Sequence, residues 1–193
     1  MVKAARAAIE LHLSSRSFNS KLIERYISDL DEDEAVFVSL QHYPTNTPRG
    51  SAGFSKASQP LHQAVVISAI AATEDMRYVP VSHLEFEHLV IEVSILSKFE
   101  GINGKSPAAI ARGISIGVNG LRIEYGYHSA TFLPQLPMAN GWDARESLDE
   151  LCIAAGLKDH MWKAGNARLF RFTTQRFREL TPRGPIEEIL TEQ

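Results

Sequence analysis

Apolar positions recur along this chain with two periods, and each change of period marks a new element. Leu61, Val65, Ala69, Ala72 and Met76 stand four, four, three and four apart, which predicts a helix over about 60–76 with Pro60 in its first turn. Residues 2–13 carry a second helical pattern. A third, with Leu22, Ile23, Tyr26, Ile27 and Leu30 on one face, follows a cap at Asn19 or Ser20. Asp143-x-x-Glu146 reads as a capping box for a helix carrying Leu148, Leu151, Cys152 and Ala155, closed by Gly156. Ser106 and Pro107 open a short helix through Arg112, and Ile186–Leu190 suggests another at the end.

Alternation predicts the strands. They fall at 35–43, at 89–96, at 129–133 and at 168–173. The run Leu89–Leu96 is apolar enough for burial on both faces, with Val90, Glu92, Ser94 and Leu96 on one side. Asn119-Gly120 lies between two alternating runs, 114–118 and 121–125, and predicts a hairpin turn there.

Between the first strand and the long helix lies Thr47-Pro48-Arg49-Gly50-Ser51-Ala52-Gly53-Phe54. Two glycines and a proline in six residues predict a sharply bent loop. Arg49 and the hydroxyls of Thr47, Ser51 and Ser55 would ride on it, with backbone N–H groups available to a ligand. It is not a phosphate-loop or dinucleotide fingerprint.

Composition narrows the classes. A chain of 193 residues with 44% hydrophobic residues supports one domain with a real core, or one domain in two lobes. A net charge of -3 gives no general attraction to nucleic acid or to an anionic membrane. No run approaches the roughly 18 apolar residues of a membrane span. The single cysteine, Cys152, excludes an internal disulfide and suits a reducing cytoplasm.

The candidate chemistry is sparse. Glu92 in a buried strand needs a cationic partner, and Arg49 or Arg77 is the expectation. Cys152 on an apolar stripe reads as core. The acidic run Asp31–Glu34 reads as a solvated turn. Seven histidines include no H-E-x-x-H pattern, and His62, His83 and His88 do not pair, so no metal site is expected. Arginines 168, 171, 176, 178 and 183 support only a weak case for RNA.

Taken in order, these segments resemble the AMMECR family. Pro48-Arg49-Gly50-Ser51-Ala52-Gly53 is similar to its Leu-Arg-Gly-Cys-Ile-Gly signature, and Asp75-Met76-Arg77-Tyr78-Val79-Pro80 to its Asp-x-Arg-Phe-x-Pro segment. Ile91–Leu96, Leu133-Pro134-Gln135, Gly141-Trp142-Asp143, Cys152 to Leu157 and Trp162 complete the likeness over nearly the whole chain. The resemblance implies an α+β fold, an antiparallel sheet flanked by helices, in two unequal lobes with a cleft between them. It implies no established activity. It does imply association with a Memo-like protein and a radical SAM enzyme. Pro48, Ser51 and Ala52 depart from the signature, and Ser51 in place of cysteine favours binding over thiol chemistry.

Two functions compete at this level. The first is an enzyme or enzyme-partner subunit holding a small anionic ligand with Arg49, Gly50, Ser51, Gly53, Asp75, Arg77 and Gln135, and with Glu92 as a general base. The second is a non-catalytic interaction module anchored by Leu136, Met138 and Trp142. Cofactor and oligomeric state are left open by the sequence.

Overall fold

The computed structural model describes residues 1–14 and 34–190. The helix expected after Asn19 and most of the acidic run, Asp31 to Asp33, lie outside the described residues. The chain divides into two compact units, one of Met1–Leu96 with Gln175–Leu190 and one of Ser97–Thr174. Both are built of antiparallel strand pairs and helices, an α+β fold.

In chain order the first stretch holds α1 (Val2–Leu13), β1 (Ala35–His42), β2 (Thr47–Phe54), α2 (Leu61–Thr73), α3 (His83–Phe86) and β3 (Leu89–Leu96). The second holds β4 (Glu100–Gly101), α4 (Pro107–Arg112), β5 (Gly120–Tyr125), β6 (His128–Phe132), α5 (Gln135–Asn140), α6 (Ala144–Ala154) and β7 (Arg168–Phe172). The chain then returns with β8 (Thr174–Glu179) and β9 (Ile186–Ile189).

The first unit is a five-stranded sheet in the order β2-β1-β3-β8-β9. Val36, Val38 and Leu40 of β1 and Ile91 and Val93 of β3 point to one face and join Ala5, Ile9, Ala64, Val65 and Ala69 of α1 and α2 in one core. Arg6 of α1 reaches this layer and forms a buried pair with Glu179 of β8, Nε to Oε1 2.7 Å, tying the helix to that strand. The second unit is a four-stranded sheet in the order β4-β7-β5-β6. Its core joins Leu121, Ile123, Leu148, Leu151, Cys152, Trp162 and Leu169. No helix among the described residues is long and apolar enough to cross a membrane.

Three sequence expectations change here. The Pro48–Gly53 stretch is a strand, not a bent loop: β2 pairs antiparallel with β1 from Phe54 to Thr47, and neither glycine has a positive φ. Its small residues serve close packing instead of turning. The hairpin turn lies at Gly126-Tyr127, because β5 starts at Gly120 and pairs with β6, while 114–118 forms no strand. Gly126, at φ +58°, takes the left-handed conformation that the turn requires. The final segment is strand β9, held by pairing of Ile186–Ile189 with β8, and β8 itself escaped notice because its alternation mixes arginine with phenylalanine and glutamate.

Candidate functional site

Arg49 is built into the first unit's scaffold. Its guanidinium donates to both carboxylate oxygens of Glu85 and, at 2.7 Å, to the Val79 carbonyl, and Tyr78 lies 5.5 Å from it. The side chain is buried. This fork ties edge strand β2 to α3 and to the loop before it. Arg49→Ala should lower the melting temperature by the equivalent of about 2–3 kcal/mol, a loss that a side chain serving only a ligand would not produce.

Asp75 closes the same corner. Its carboxylate accepts the Ser51 backbone N–H at 2.9 Å, the Arg77 backbone N–H at 3.0 Å and the Arg77 guanidinium at 2.6 Å. Burial, the largest influence, works to raise its pKa. The hydrogen bonds from Arg77 and Ser51 together overcome that and hold it at about 2, below its ordinary 3.8. A depressed carboxylate stabilises the fold above its unfolded pKa and loses that contribution as pH falls through the folded one. The Asp75 side chain is only 7% exposed, so roughly 2 kcal/mol of stability should disappear between about pH 4 and pH 2. Urea titrations at stepped pH on the wild type and Asp75→Asn should show this limb in the first and a shallower one in the second. Arg77 itself is largely in solvent.

Gly50 and Gly53 are held by contact. A Cβ on Gly50 would stand 2.2 Å from the Ala72 carbonyl oxygen of α2, and one on Gly53 would stand 2.3 Å from the Val36 carbonyl oxygen. At Gly50 the sheet meets the small face of α2 through bare backbone, and at Gly53 β2 lies close against Val36 and Phe37 of β1.

A different arrangement appears on the sheet face away from α1 and α2. Ser39 pairs across the sheet with Ser51 on β2 and with Glu92 on β3. Residues directly opposite one another share a face, so the three form one row. Ser39 Oγ and Ser51 Oγ are 3.0 Å apart. Glu92 is fully buried and is met by Arg176 of β8, Nε to Oε1 at 3.0 Å and Nη2 to Oε2 at 2.8 Å. Glu92 thus pairs with Arg176, and neither Arg49 nor Arg77 meets it. The row crosses four strands, about 14 Å at the usual strand spacing.

The two-residue period puts Gln41 beside Ser39, Ser94 beside Glu92 and Arg178 beside Arg176 on the same face. Ser94 is buried. Ser94 Oγ, Gln41 Oε1 and Arg178 Nε are all enclosed and have no hydrogen-bond partner among the described residues. Native proteins leave few such groups unpaired. Three of them lie on one face of one sheet.

The chain's other expectations sort by unit. Gln135 opens α5 in the second unit, where its side chain is half-buried. Cys152 is core, and burial pushes its thiol pKa up, which suits no nucleophile. Trp142 packs on Phe132, with ring centres 6.0 Å apart, at the margin of the second core, so the proposed Leu136–Met138–Trp142 patch keeps only Met138 strongly exposed. Arg168, Arg171, Arg176 and Arg183 each hold a carboxylate, respectively Glu124, Glu100, Glu92 and Glu87, which weakens the RNA reading.

The match with known proteins is decisive for kinship. The AMMECR1 family model covers residues 2–177. The chain belongs to the AMMECR1 family. Protein MJ0810 of Methanocaldococcus jannaschii is 40% identical over 188 residues, covering 97% of this chain and 92% of that protein. Protein PH0010 of Pyrococcus horikoshii is 39% identical over 194 residues, again covering 97% and 92%. The crystal structure of the uncharacterized protein PH0010 from Pyrococcus horikoshii superposes with a TM-score of 0.89 at 37% identity, over 97% of this chain and 94% of that one. Within this AMMECR1 domain the residues legible from sequence are those of the β2–Asp75 corner and Glu92. Ser39, Gln41, Arg176 and Arg178 were not singled out as one site, since only strand register brings them to Glu92.

Proposed function

We propose that this AMMECR1-family protein is an enzyme, or the partner subunit of one, that binds a small anionic ligand on the polar face of β1, β2, β3 and β8. The observation that carries the reading is the set of enclosed, unpartnered groups Ser94 Oγ, Gln41 Oε1 and Arg178 Nε. Gln41 and Ser94 flank the Ser39–Glu92 row on opposite sides, about 13 Å apart along the strands, so a small ligand would meet one of them together with Arg178, whose guanidinium favours negative charge. Ser51 and Ser39 extend the row with two hydroxyls. Glu92 serves best as the group that fixes Arg176, since both its oxygens are engaged; a general-base role would require that pair to open. Arg49, Gly50, Asp75 and Arg77 act at one remove, by holding β2 against α2 and α3, and Gly53 by letting β2 lie close on β1. Gln135 enters as a ligand candidate of the second unit.

Native mass spectrometry of the intact chain tests this. A co-purifying mass, or saturable thermal stabilisation by small carboxylates or phosphates, should appear in the wild type and be lost in Arg178→Ala. Neither effect in the wild type would remove the reading. The pathway shared with a Memo-like protein and a radical SAM enzyme is the finer part of the proposal. Co-purification of the three proteins, with exchange of the bound small molecule, is its measurement.

One observation favours a second reading, a protein-docking surface. Met76, Val79 and Leu84 are 100%, 77% and 81% exposed on the segment that Arg49 and Asp75 hold in place. If Met76→Glu with Val79→Glu abolished binding to the purified Memo-like or radical SAM protein while Arg178→Ala did not, docking would be the better description.

A further inference from the structure

The opposite side of β8 carries a second polar feature. Glu179, one residue beyond Arg178, points to the helical face, where it meets Arg6. Around this pair Lys3, Ala7 and Glu10 of α1, Arg183 and Gly184 of the β8–β9 connection and Ile186 of β9 line a pocket of about 380 Å³. That is within the size range of small-molecule sites.

The charges in it are not evenly satisfied. Glu179 is fully engaged, with Arg6 on both oxygens and the Ile91 backbone N–H at 3.1 Å. Arg183 bridges Glu10 and Glu87. Arg6 gives Nε and Nη2 to Glu179 and Nη2 also to the Leu89 carbonyl, and it lies 4.5 Å from the centre of the Phe86 ring. Its Nη1 is left enclosed with no partner among the described residues, although the residue is only 6% exposed. Lys3 is exposed and forms no ion pair among the described residues. The pocket thus has two cationic groups with donors to spare and both of its carboxylates already neutralised.

The geometry points to a second, independent binding site here, for the carboxylate or phosphate group of a small molecule held between Arg6 Nη1 and the Lys3 ammonium. A guanidinium nitrogen that is enclosed and unpaired loses hydration without return, and a bound oxyanion restores it. The ammonium at the rim supplies the second contact and draws the anion in. The site shares no residue with the polar face of the sheet, so either can fail without the other.

Titration of the full chain with inorganic phosphate and, separately, with succinate tests it, read by two-dimensional amide NMR and by thermal melting. Saturable shifts at the Ala7 and Gly184 amides with one anion or both are expected, together with a rise in melting temperature as the site fills. The anion that gives them identifies the group. Lys3→Glu, on an exposed residue, should weaken binding at least about tenfold while the ligand-free melting temperature is unchanged. Arg6→Lys, which keeps a cation but loses the fork, should also weaken binding, and its own melting curve shows whether it has folded. No saturable shift at those amides with either anion, or equal affinity in Lys3→Glu, would overturn the site.

Discussion

Gly50→Ala should cost about 3 kcal/mol or more, a drop in melting temperature of roughly 6–12 °C for a chain of this length. The added methyl would sit 2.2 Å from the Ala72 carbonyl oxygen and 3.5 Å from Asp75 Cβ. Both walls are fixed: the carbonyl is helix backbone, and Asp75 is anchored by Ser51 and Arg77. Relief would require α2 to lift from the sheet and part the core that Ala64, Val65 and Ala69 make with β1 and β3. Gly126→Ala is the matched control. Its site is open, with nothing within 4 Å, and only its positive φ is strained, so about 1–2 kcal/mol is expected. Circular dichroism melts of the two variants separate steric closure from backbone preference.

Glu92→Ala should be as damaging for a different reason. The carboxylate is completely enclosed and engages Arg176 through two nitrogens. Removing it strands a guanidinium on a sheet face that already holds unpaired groups, and breaking such a pair typically costs about 3–5 kcal/mol. Arg176→Ala removes two of the carboxylate's hydrogen bonds and should also destabilise the fold, by a smaller amount. The double variant Glu92→Met with Arg176→Leu should recover much of the loss, because it removes both charges and keeps volume. Chemical denaturation of the four proteins closes the cycle. A small effect in both single variants would mean that water or another residue solvates the pair.

These expectations also show what the sequence carries and what it conceals. The helix expected over 60–76 forms over Leu61–Thr73, with Met76 of its expected stripe beyond the end and fully exposed, and Asp143-x-x-Glu146 announced its helix through a capping box that forms in full. Glu92 stood out because charge inside an apolar strand demands a partner. Which partner was hidden, since Arg176 lies 84 residues on and only sheet order brings it near. The Pro48–Gly53 stretch misled for a related reason. Glycine supports both a sharp turn and a tight packing contact, and the sequence does not distinguish them without knowledge of what lies opposite. Gln41 and Arg178 carry no motif, and Ser94 stands in the Ile91–Leu96 likeness without any chemistry of its own to mark it. Their significance is an absence of partners among the described residues, which exists only in the folded molecule.

The central claim is that the polar face is kept for a ligand at some cost to the fold. The melting temperature of ligand-free Ser94→Ala measures this most directly. A buried hydroxyl without a partner contributes nothing to stability, so its removal should leave the protein equally stable or up to about 1 kcal/mol more stable. A loss of more than about 1 kcal/mol would mean that Ser94 Oγ is hydrogen-bonded as part of the scaffold, and would contradict the account.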